Sequence, residues 1–293
     1  MSYGSVASAF KEAEAKGESL SVRFLREDCS ENGYSPEESL QKTEELFEAM
    51  LQSEASYRPE ERSNSGLSGG EAEKYRQAQQ QGKLLGDEYF HEVCQGALKI
   101  AECNACMKRI VAAPTAGSCG VLPAVLIPLY RRNPQLKQKI IEGMVLAAGL
   151  GSVTAARACL SGAGGGCQAE IGTASAMAAA ALAYVMGADD RQCCEAFAMA
   201  LSNLLGLVCD PVAGLVEIPC IKRNTVGAVN AVTAANMALA GIQNRIPADE
   251  VIDAMGEIGR TMPEALRETG RGGLAATPTA QRIRKEIFPG NGE

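Results

Sequence analysis

Residues 168–186 read QAEIGTASAMAAAALAYVM, and the composition of this stretch sets the fold class. Alanine and other small apolar residues occupy most positions, so a helix formed here is apolar on most of its faces. Such a helix is stable only when other helices surround it. Gly187 follows directly, as expected where a helix ends. The stretch therefore predicts a buried central helix.

The segments on either side have a similar composition. Further helices are expected over residues 88–110, 136–160, 190–205, 225–240 and 248–258. Glycine and proline make residues 114–120, 161–166 and 208–224 irregular. No segment shows the period-two alternation of a β-strand. We predict a mainly α protein in which buried Ala/Gly-rich helices surround glycine-rich loops.

The amino-terminal third is more polar than the rest. Ser35, Pro36 and Glu38 form a capping-box pattern with proline at the first helical position, which predicts a helix start. Short turns without long polar linkers join the later helices. We expect residues 1–85 to form a polar helical region that packs on a helical region over residues 86–293, together in one domain.

Composition narrows the classes of partner. The 293 residues are 46% hydrophobic and carry a formal net charge of −7, without a long basic run. Nucleic acid is therefore not expected as a partner. Proline or glycine interrupts the apolar stretches before they reach the length of a membrane span, and the first residues lack the pattern of a signal peptide. These features predict a soluble cytoplasmic protein.

The eleven cysteines are the main chemical signal. An odd number without a signal peptide argues against a disulfide framework. Cys167, Cys209 and Cys220 each lie in glycine- or proline-rich segments, where backbone can approach a cofactor closely. Thiolates select iron–sulfur clusters or zinc, although buried structural cysteines remain the alternative. The Cys103–Cys106 pair is a rival site for zinc or redox chemistry, but it has no second pair.

Two loops and one histidine complete the candidates. The loop at residues 114–120 precedes an apparent helix and could hold a carboxylate, or could be an ordinary polar cap. The loop around Arg271 is a second anion-binding candidate, with a helix C-cap at Gly270 as the alternative. His91 is the single histidine, and we expect it in a helix at the surface or boundary.

Four motifs, in this order, resemble the iron–sulfur-dependent L-serine dehydratases. They lie at residues 113–124 (APTAGSCGVLPA), 161–170 (SGAGGGCQAE), 209–224 (CDPVAG through PC and RN) and 267–275 (RETGRGGLA). The serine-rich loop at residues 65–70 is also similar. The resemblance implies a largely helical catalytic region and a lyase that converts L-serine to pyruvate and ammonia.

The resemblance also implies the cofactor and the substrate contacts. A 4Fe–4S cluster would be held by Cys167, Cys209 and Cys220, with one iron open to substrate as a Lewis acid. The residues implied in positioning the carboxylate of L-serine are Thr115, Gly117, Ser118, Gly120 and Arg271.

The chain also departs from the single-chain members of that family. They carry Glu-His-Asn before the middle cysteine, where this chain has Ser202, Asn203 and Leu204, so the general base is not assigned. The chain is also shorter and resembles the alpha chain of the two-subunit form, which implies a smaller beta subunit as partner. A related lyase that acts on cysteine and a non-catalytic Cys103–Cys106 protein remain alternatives.

Overall fold

The computed structural model describes residues 3–289, and the described part of the chain is built from α-helices without a β-strand. The helices are α1 (Val6–Lys16), α2 (Leu20–Asn32), α3 (Pro36–Ala55), α4 (Glu71–Gln80), α5 (Glu88–Ala105), α6 (Val121–Arg132), α7 (Lys137–Arg157), the one-turn α8 (Gly162–Gly165), α9 (Thr173–Val185), α10 (Asp190–Ser202), α11 (Cys220–Leu239), α12 (Ala248–Thr261) and α13 (Pro278–Ile287). The predicted mainly α class is confirmed.

Helix α9 lies at the centre of the core. All of its residues are buried except Tyr184, and it packs against α6, α7, α10 and α11. Small residues allow these helices to approach closely. A Cβ at Gly143 of α7 would lie only 3.1 Å from the carbonyl oxygen of Ala181 in α9. The alanine-rich composition therefore produces a tightly packed helical core.

The amino-terminal helices pack on this core and end at capped termini. The predicted capping box is present, because Glu38 N–H donates to the Ser35 hydroxyl and Ser35 N–H donates to the Glu38 carboxylate. Asp249 accepts hydrogen bonds from the first amides of α1, and Asp190 accepts one from Leu20 at the start of α2. Carboxylates at these helix N-termini are favourable, because they accept otherwise unpaired amides and oppose the helix dipole.

Several predicted helix boundaries were wrong, and those of α5 and α11 are each displaced by five residues. Helix α11 begins at Cys220, although residues 208–224 were expected to be irregular; Pro219 immediately precedes the first turn, where proline is tolerated. Helix α5 ends at Ala105 instead of residue 110. Met107 there has a left-handed φ of 60°, and Lys108 N–H donates back to the Cys103 carbonyl, which closes the helix.

The central helix predicted from residue 168 begins differently from an ordinary α-helix. Residues Gln168–Gly172 form a π-helical turn that leads into α9. The amide of Gln168 donates to the carbonyl of Leu207, outside the helix. Single π-turns inside helices occur frequently at functional sites.

Among residues 3–289, one helical segment meets the length and hydropathy criteria for a membrane span. Residues Pro134–Arg157 have a mean hydropathy of 1.3 over the most apolar window, and 61% of that window is buried inside the protein. A core helix of a soluble protein passes the same test. The burial of α7 against α9 and α2 accounts for its apolar composition.

His91 lies in α5 as predicted, but the expectation of a surface or boundary position was wrong. The side chain is buried, and its Nδ1 atom lies 3.0 Å from the Tyr75 hydroxyl of α4. The rings of Tyr75 and Phe90 also contact it. A histidine can be buried here because the tyrosine hydroxyl satisfies one of its ring nitrogens.

Candidate functional site

Two of the predicted cysteines meet one carboxylate beside α8. The Sγ atoms of Cys167 and Cys209 and a carboxylate oxygen of Glu170 all lie within 4.8 Å of one another. Cys167 follows the α8 turn, and Glu170 lies in the π-helical turn after it. Both cysteines are buried, so the three side chains form a compact potential metal-binding group.

Glycine makes this approach possible. A Cβ at Gly162 of α8 would lie 2.8 Å from Cys209 Sγ, 2.8 Å from Glu170 Oε2 and 3.1 Å from Glu268 Oε2. Any larger residue would therefore collide with the side chains of the site. This close packing explains why glycine occupies position 162.

Charge and hydrogen bonding distinguish the two thiols. A hydrogen bond from the Cys209 thiol and the positive charge of Arg223 lower the pKa of Cys167, although burial acts in the opposite direction. The same hydrogen bond, together with burial, raises the pKa of Cys209. Cys167 is therefore the thiol that more readily becomes a thiolate, which is the form that binds metals.

Arg223 joins the cysteine loops to one another. Its Nη1 atom donates to Cys167 Sγ (3.4 Å) and to the Val208 carbonyl (2.8 Å). Its Nη2 atom lies 2.8 Å from Oδ1 of Asp210. Asp210 directly follows Cys209, and Arg223 lies in the first turn of α11. This ion pair therefore holds the loop around Cys209, called here the middle cysteine loop, against that helix.

The fourth motif is bound to the middle cysteine loop by backbone pairing. Cys209 N–H donates to the Leu266 carbonyl, and Glu268 N–H donates to the Cys209 carbonyl, both at 2.8 Å. Leu274 N–H donates to Oδ2 of Asp210 at 2.8 Å. A Cβ at Gly273 would lie 2.4 Å from the same oxygen, so the loop requires glycine there.

Cys220 lies outside the 4.8 Å group but on an element that contacts it. It is buried in the first turn of α11, three residues before Arg223. Burial, and after it a negative charge at Cys167, raise the pKa of the Cys220 thiol. The structure thus brings Cys167 and Cys209 together directly and places Cys220 on the helix whose Arg223 contacts Cys167.

The loop at residues 114–120 borders the same site. The Thr115 hydroxyl donates to Oε1 of Glu170 at 2.7 Å. Ser118 is buried, and its hydroxyl makes hydrogen bonds inside the loop: it accepts from Thr115 N–H and contacts the Thr115 hydroxyl. Thr115 therefore faces the carboxylate, while Ser118 fixes the conformation of the loop.

Asn224 connects this loop to α11. Gly120 N–H donates to Oδ1 of Asn224 at 2.9 Å, and Asn224 Nδ2 donates to the carbonyls of Gly117 (2.8 Å) and Cys220 (3.0 Å). The amide of Gly120 is thus already paired within the protein. Gly117 is half-buried, and a Cβ there would lie 3.2 Å from Oε1 of Glu170.

The remaining candidates lie apart from the group. The Arg271 side chain is 74% exposed, and its Nη1 atom lies 3.7 Å from Glu264. Asn203, at the position where single-chain relatives have histidine, donates to Asn230 at 2.8 Å. Cys103 is buried near the end of α5 and contacts Ser56, which is consistent with a structural role.

Glu170 is the site residue that sequence reasoning did not assign. It lies within the second motif, but its position in the sequence alone does not show that its carboxylate, rather than that of another glutamate, reaches the site. Burial, followed by the nearby charge of Glu268, raises the pKa of Glu170, whereas the Thr115 hydrogen bond lowers it. A partly buried carboxylate beside two cysteines and a polar loop is a combination that favours a functional site.

Known proteins with similar sequences indicate the family to which the chain belongs. The family described as "Serine dehydratase alpha chain" matches residues 5–275. The probable L-serine dehydratase alpha chain of Bacillus subtilis (strain 168) is 52% identical over 228 residues, which are 78% of this chain and 76% of that protein. The one from Latilactobacillus sakei is 54% identical over 197 residues, which are 67% of this chain and 94% of that protein.

A longer relative matches in part. The L-serine dehydratase of Helicobacter pylori is 46% identical over 186 residues, which are 62% of this chain but only 40% of that protein. The resemblance found in the four motifs is therefore confirmed over most of the chain, and the chain belongs to the serine dehydratase alpha chain family.

Proposed function

We propose that this chain is the catalytic alpha chain of an L-serine dehydratase, which converts L-serine to pyruvate and ammonia. The observation that carries the proposal is the meeting of Cys167, Cys209 and Glu170 beside the Thr115 loop. The four motifs of the sequence contribute to one site, and all relatives described above are named as L-serine dehydratases or their alpha chains.

The cofactor in this proposal is a 4Fe–4S cluster held by Cys167, Cys209 and Cys220. The donor set fits: three buried thiols lie on glycine- and proline-rich backbone, and Arg223 offsets negative charge at Cys167. A cluster contains several iron atoms, so its thiolates need not surround one point as they would around a single ion. When bound, a cluster with three cysteine ligands supplies a Lewis acid that assists departure of the β-hydroxyl group.

The protein itself would bind and orient the amino acid. The loop at residues 114–120 would receive the carboxylate, with Thr115 and Gly117 nearest to Glu170 and with Ser118 and Gly120 holding the loop in shape. Arg271 would have to turn from solvent to assist. Loss of the α-proton and the β-hydroxyl gives an enamine, whose imine tautomer is hydrolysed to pyruvate and ammonia.

A smaller beta subunit would complete the enzyme. The chain supplies no histidine at the site within residues 3–289, because its single histidine is buried against Tyr75. Three apolar side chains on the elements around the site, Val216, Val226 and Leu274, are exposed. We propose that the beta subunit covers these side chains, because the buried centres of protein interfaces are enriched in apolar groups. We place the assembled enzyme in the cytoplasm.

The test is to purify the chain with its partner under nitrogen, measure bound iron and sulfide, and assay pyruvate formation. L-serine should be converted to pyruvate with release of ammonia. L-cysteine is the control substrate, because a thiol leaving group would release sulfide instead. Preference for L-cysteine would assign the site to the related sulfide-releasing lyases, and protein without iron or turnover would contradict the proposal.

A further inference from the structure

The carboxylate of Glu170 connects the two halves of the site. Its Oε1 atom faces the loop, where Thr115 donates to it at 2.7 Å. Its Oε2 atom faces α8. A Cβ atom built on Gly162 would lie 2.8 Å from this oxygen and also 2.8 Å from Cys209 Sγ. The two oxygens of one side chain therefore face the proposed carboxylate-binding loop and the proposed cluster ligands.

This carboxylate has no cationic partner in the part of the chain that the structure describes. The guanidinium group of Arg223, which lies in the same site, is already paired with Asp210, Cys167 and the Val208 carbonyl. A second carboxylate lies close to Glu170, because Glu268 Oε2 lies 3.1 Å from the same Cβ atom built on Gly162. A partly buried negative charge beside another negative charge is unfavourable until a cation binds between them.

The substrate of the proposed reaction carries such a cation. L-serine has three functional groups around its α-carbon: a carboxylate, a β-hydroxyl and an α-ammonium group. Suppose that the loop at residues 114–120 receives the carboxylate of L-serine and that the β-hydroxyl group faces the cysteines. The α-ammonium group then lies within reach of Glu170, whose side chain stands between the loop and the cysteines. We propose that Glu170 binds the α-ammonium group of the substrate and thereby restricts the enzyme to α-amino acids.

This inference rests on the proposed function and adds to it the residue that selects the substrate class. Thr115 is a positioning residue in this scheme, because its hydrogen bond fixes Oε1 and leaves Oε2 for the ammonium group. Glu268 contributes a second negative charge from the exposed side of the site. A charge-assisted hydrogen bond between ammonium and carboxylate is stronger than one between neutral groups.

The experiment compares Glu170→Gln with wild type in the complete enzyme assembled under nitrogen. Glutamine has nearly the same shape and can still accept the Thr115 hydrogen bond, but it lacks the charge. The matched control is Glu257→Gln, which removes a charge from an exposed position on α12. The ligand pair is L-serine and 3-hydroxypropanoate, which is L-serine without its ammonium group and is measured as a competitive inhibitor.

In Glu170→Gln, KM for L-serine should rise by about tenfold to a hundredfold, whereas the inhibition constant of 3-hydroxypropanoate should change by less than about twofold. Bound iron should equal that of wild type. Equilibrium binding of L-alanine, which has no hydroxyl to lose, should weaken as much as KM rises. Glu257→Gln should match wild type in all four measurements.

Three results would overturn the inference while leaving the proposed function intact. Loss of iron in Glu170→Gln would make Glu170 a cluster ligand. A fall in kcat with unchanged KM and unchanged L-alanine binding would make it a proton-transfer group. Equal weakening of L-serine and 3-hydroxypropanoate would make its role structural. Absence of L-serine turnover in the wild-type enzyme would instead refute the proposed function and this inference together.

Discussion

Nη1 of Arg223 lies 3.4 Å from Sγ of Cys167, while Nη2 of the same side chain lies 2.8 Å from Oδ1 of Asp210. One guanidinium group thus connects the first cysteine to the residue that follows the second. Both ends of this connection are buried, so its geometry depends on the packing of α11 against the loops. The contribution of this connection, and of the residues around it, can be measured through bound iron and through the free energy of unfolding as well as through turnover of L-serine.

The first prediction concerns the three cysteines. Cys167→Ser, Cys209→Ser and Cys220→Ser should each lower bound iron and abolish turnover, because a serine hydroxyl is a poor ligand for iron in a cluster. Cys106→Ser is the control, because Cys106 caps α5 outside the site. Iron and sulfide analysis of anaerobically purified protein measures the effect. Full iron content in Cys209→Ser would remove Cys209 from the ligand set.

The second prediction concerns the ion pair of Asp210 and Arg223. Asp210→Asn leaves the guanidinium without its buried counter-charge, which should lower the free energy of unfolding by about 3 kcal/mol. The control is the neighbouring residue: Lys222→Ala breaks an exposed pair with Glu71 and should cost less than about 1 kcal/mol. Urea unfolding of both variants measures the difference. Similar losses in the two variants would contradict the importance assigned to the buried pair.

The third prediction concerns Gly162. Gly162→Ala introduces a Cβ 2.8 Å from both Cys209 Sγ and Glu170 Oε2, so these side chains must move apart. Bound iron should fall with the helical content unchanged, as measured by iron analysis and circular dichroism. Gly4→Ala is the matched control, because a Cβ there meets no atom within 4 Å. Retention of full iron content by Gly162→Ala would show that the site tolerates the added methyl group.

The fourth prediction concerns the loop at residues 114–120. Ser118→Ala removes a buried hydroxyl that holds the loop and should weaken L-serine binding by about 1–3 kcal/mol, with bound iron unchanged. Measured KM values with iron analysis separate the two effects. Thr115→Val should have a similar effect through its lost hydrogen bond to Glu170. Wild-type kinetics in both variants would exclude the loop from substrate binding.

The fifth prediction concerns the partner subunit. The isolated chain, reconstituted with iron under nitrogen, should bind iron without appreciable turnover of L-serine. Addition of the beta chain should restore activity, because a general base must come within hydrogen-bonding distance of the α-proton and the chain's single histidine is buried elsewhere. Full turnover by the isolated chain would show that a residue of this chain serves as the base.

Local patterns were sufficient to predict the helical class and many of its elements. The alanine-rich composition of α9 required burial on nearly every face, and the Ser35–Glu38 capping box specified the start of α3. Both signals depend on residues close in sequence. They missed the early start of α11 directly after Pro219. They also missed the π-helical turn, where a distant contact, the hydrogen bond from Gln168 N–H to the Leu207 carbonyl, determines the backbone.

The sequence by itself determined the helical core, the four motifs and the family resemblance, because these depend on residue types and their order along the chain. Only the tertiary structure decided that Glu170 stands between Cys209 and Thr115, and that Arg223 bonds both Cys167 and Asp210. It also placed Arg271 in solvent. Spacing along the chain carries no information about distances between loops, and those distances are fixed by the packing of helices far apart in sequence.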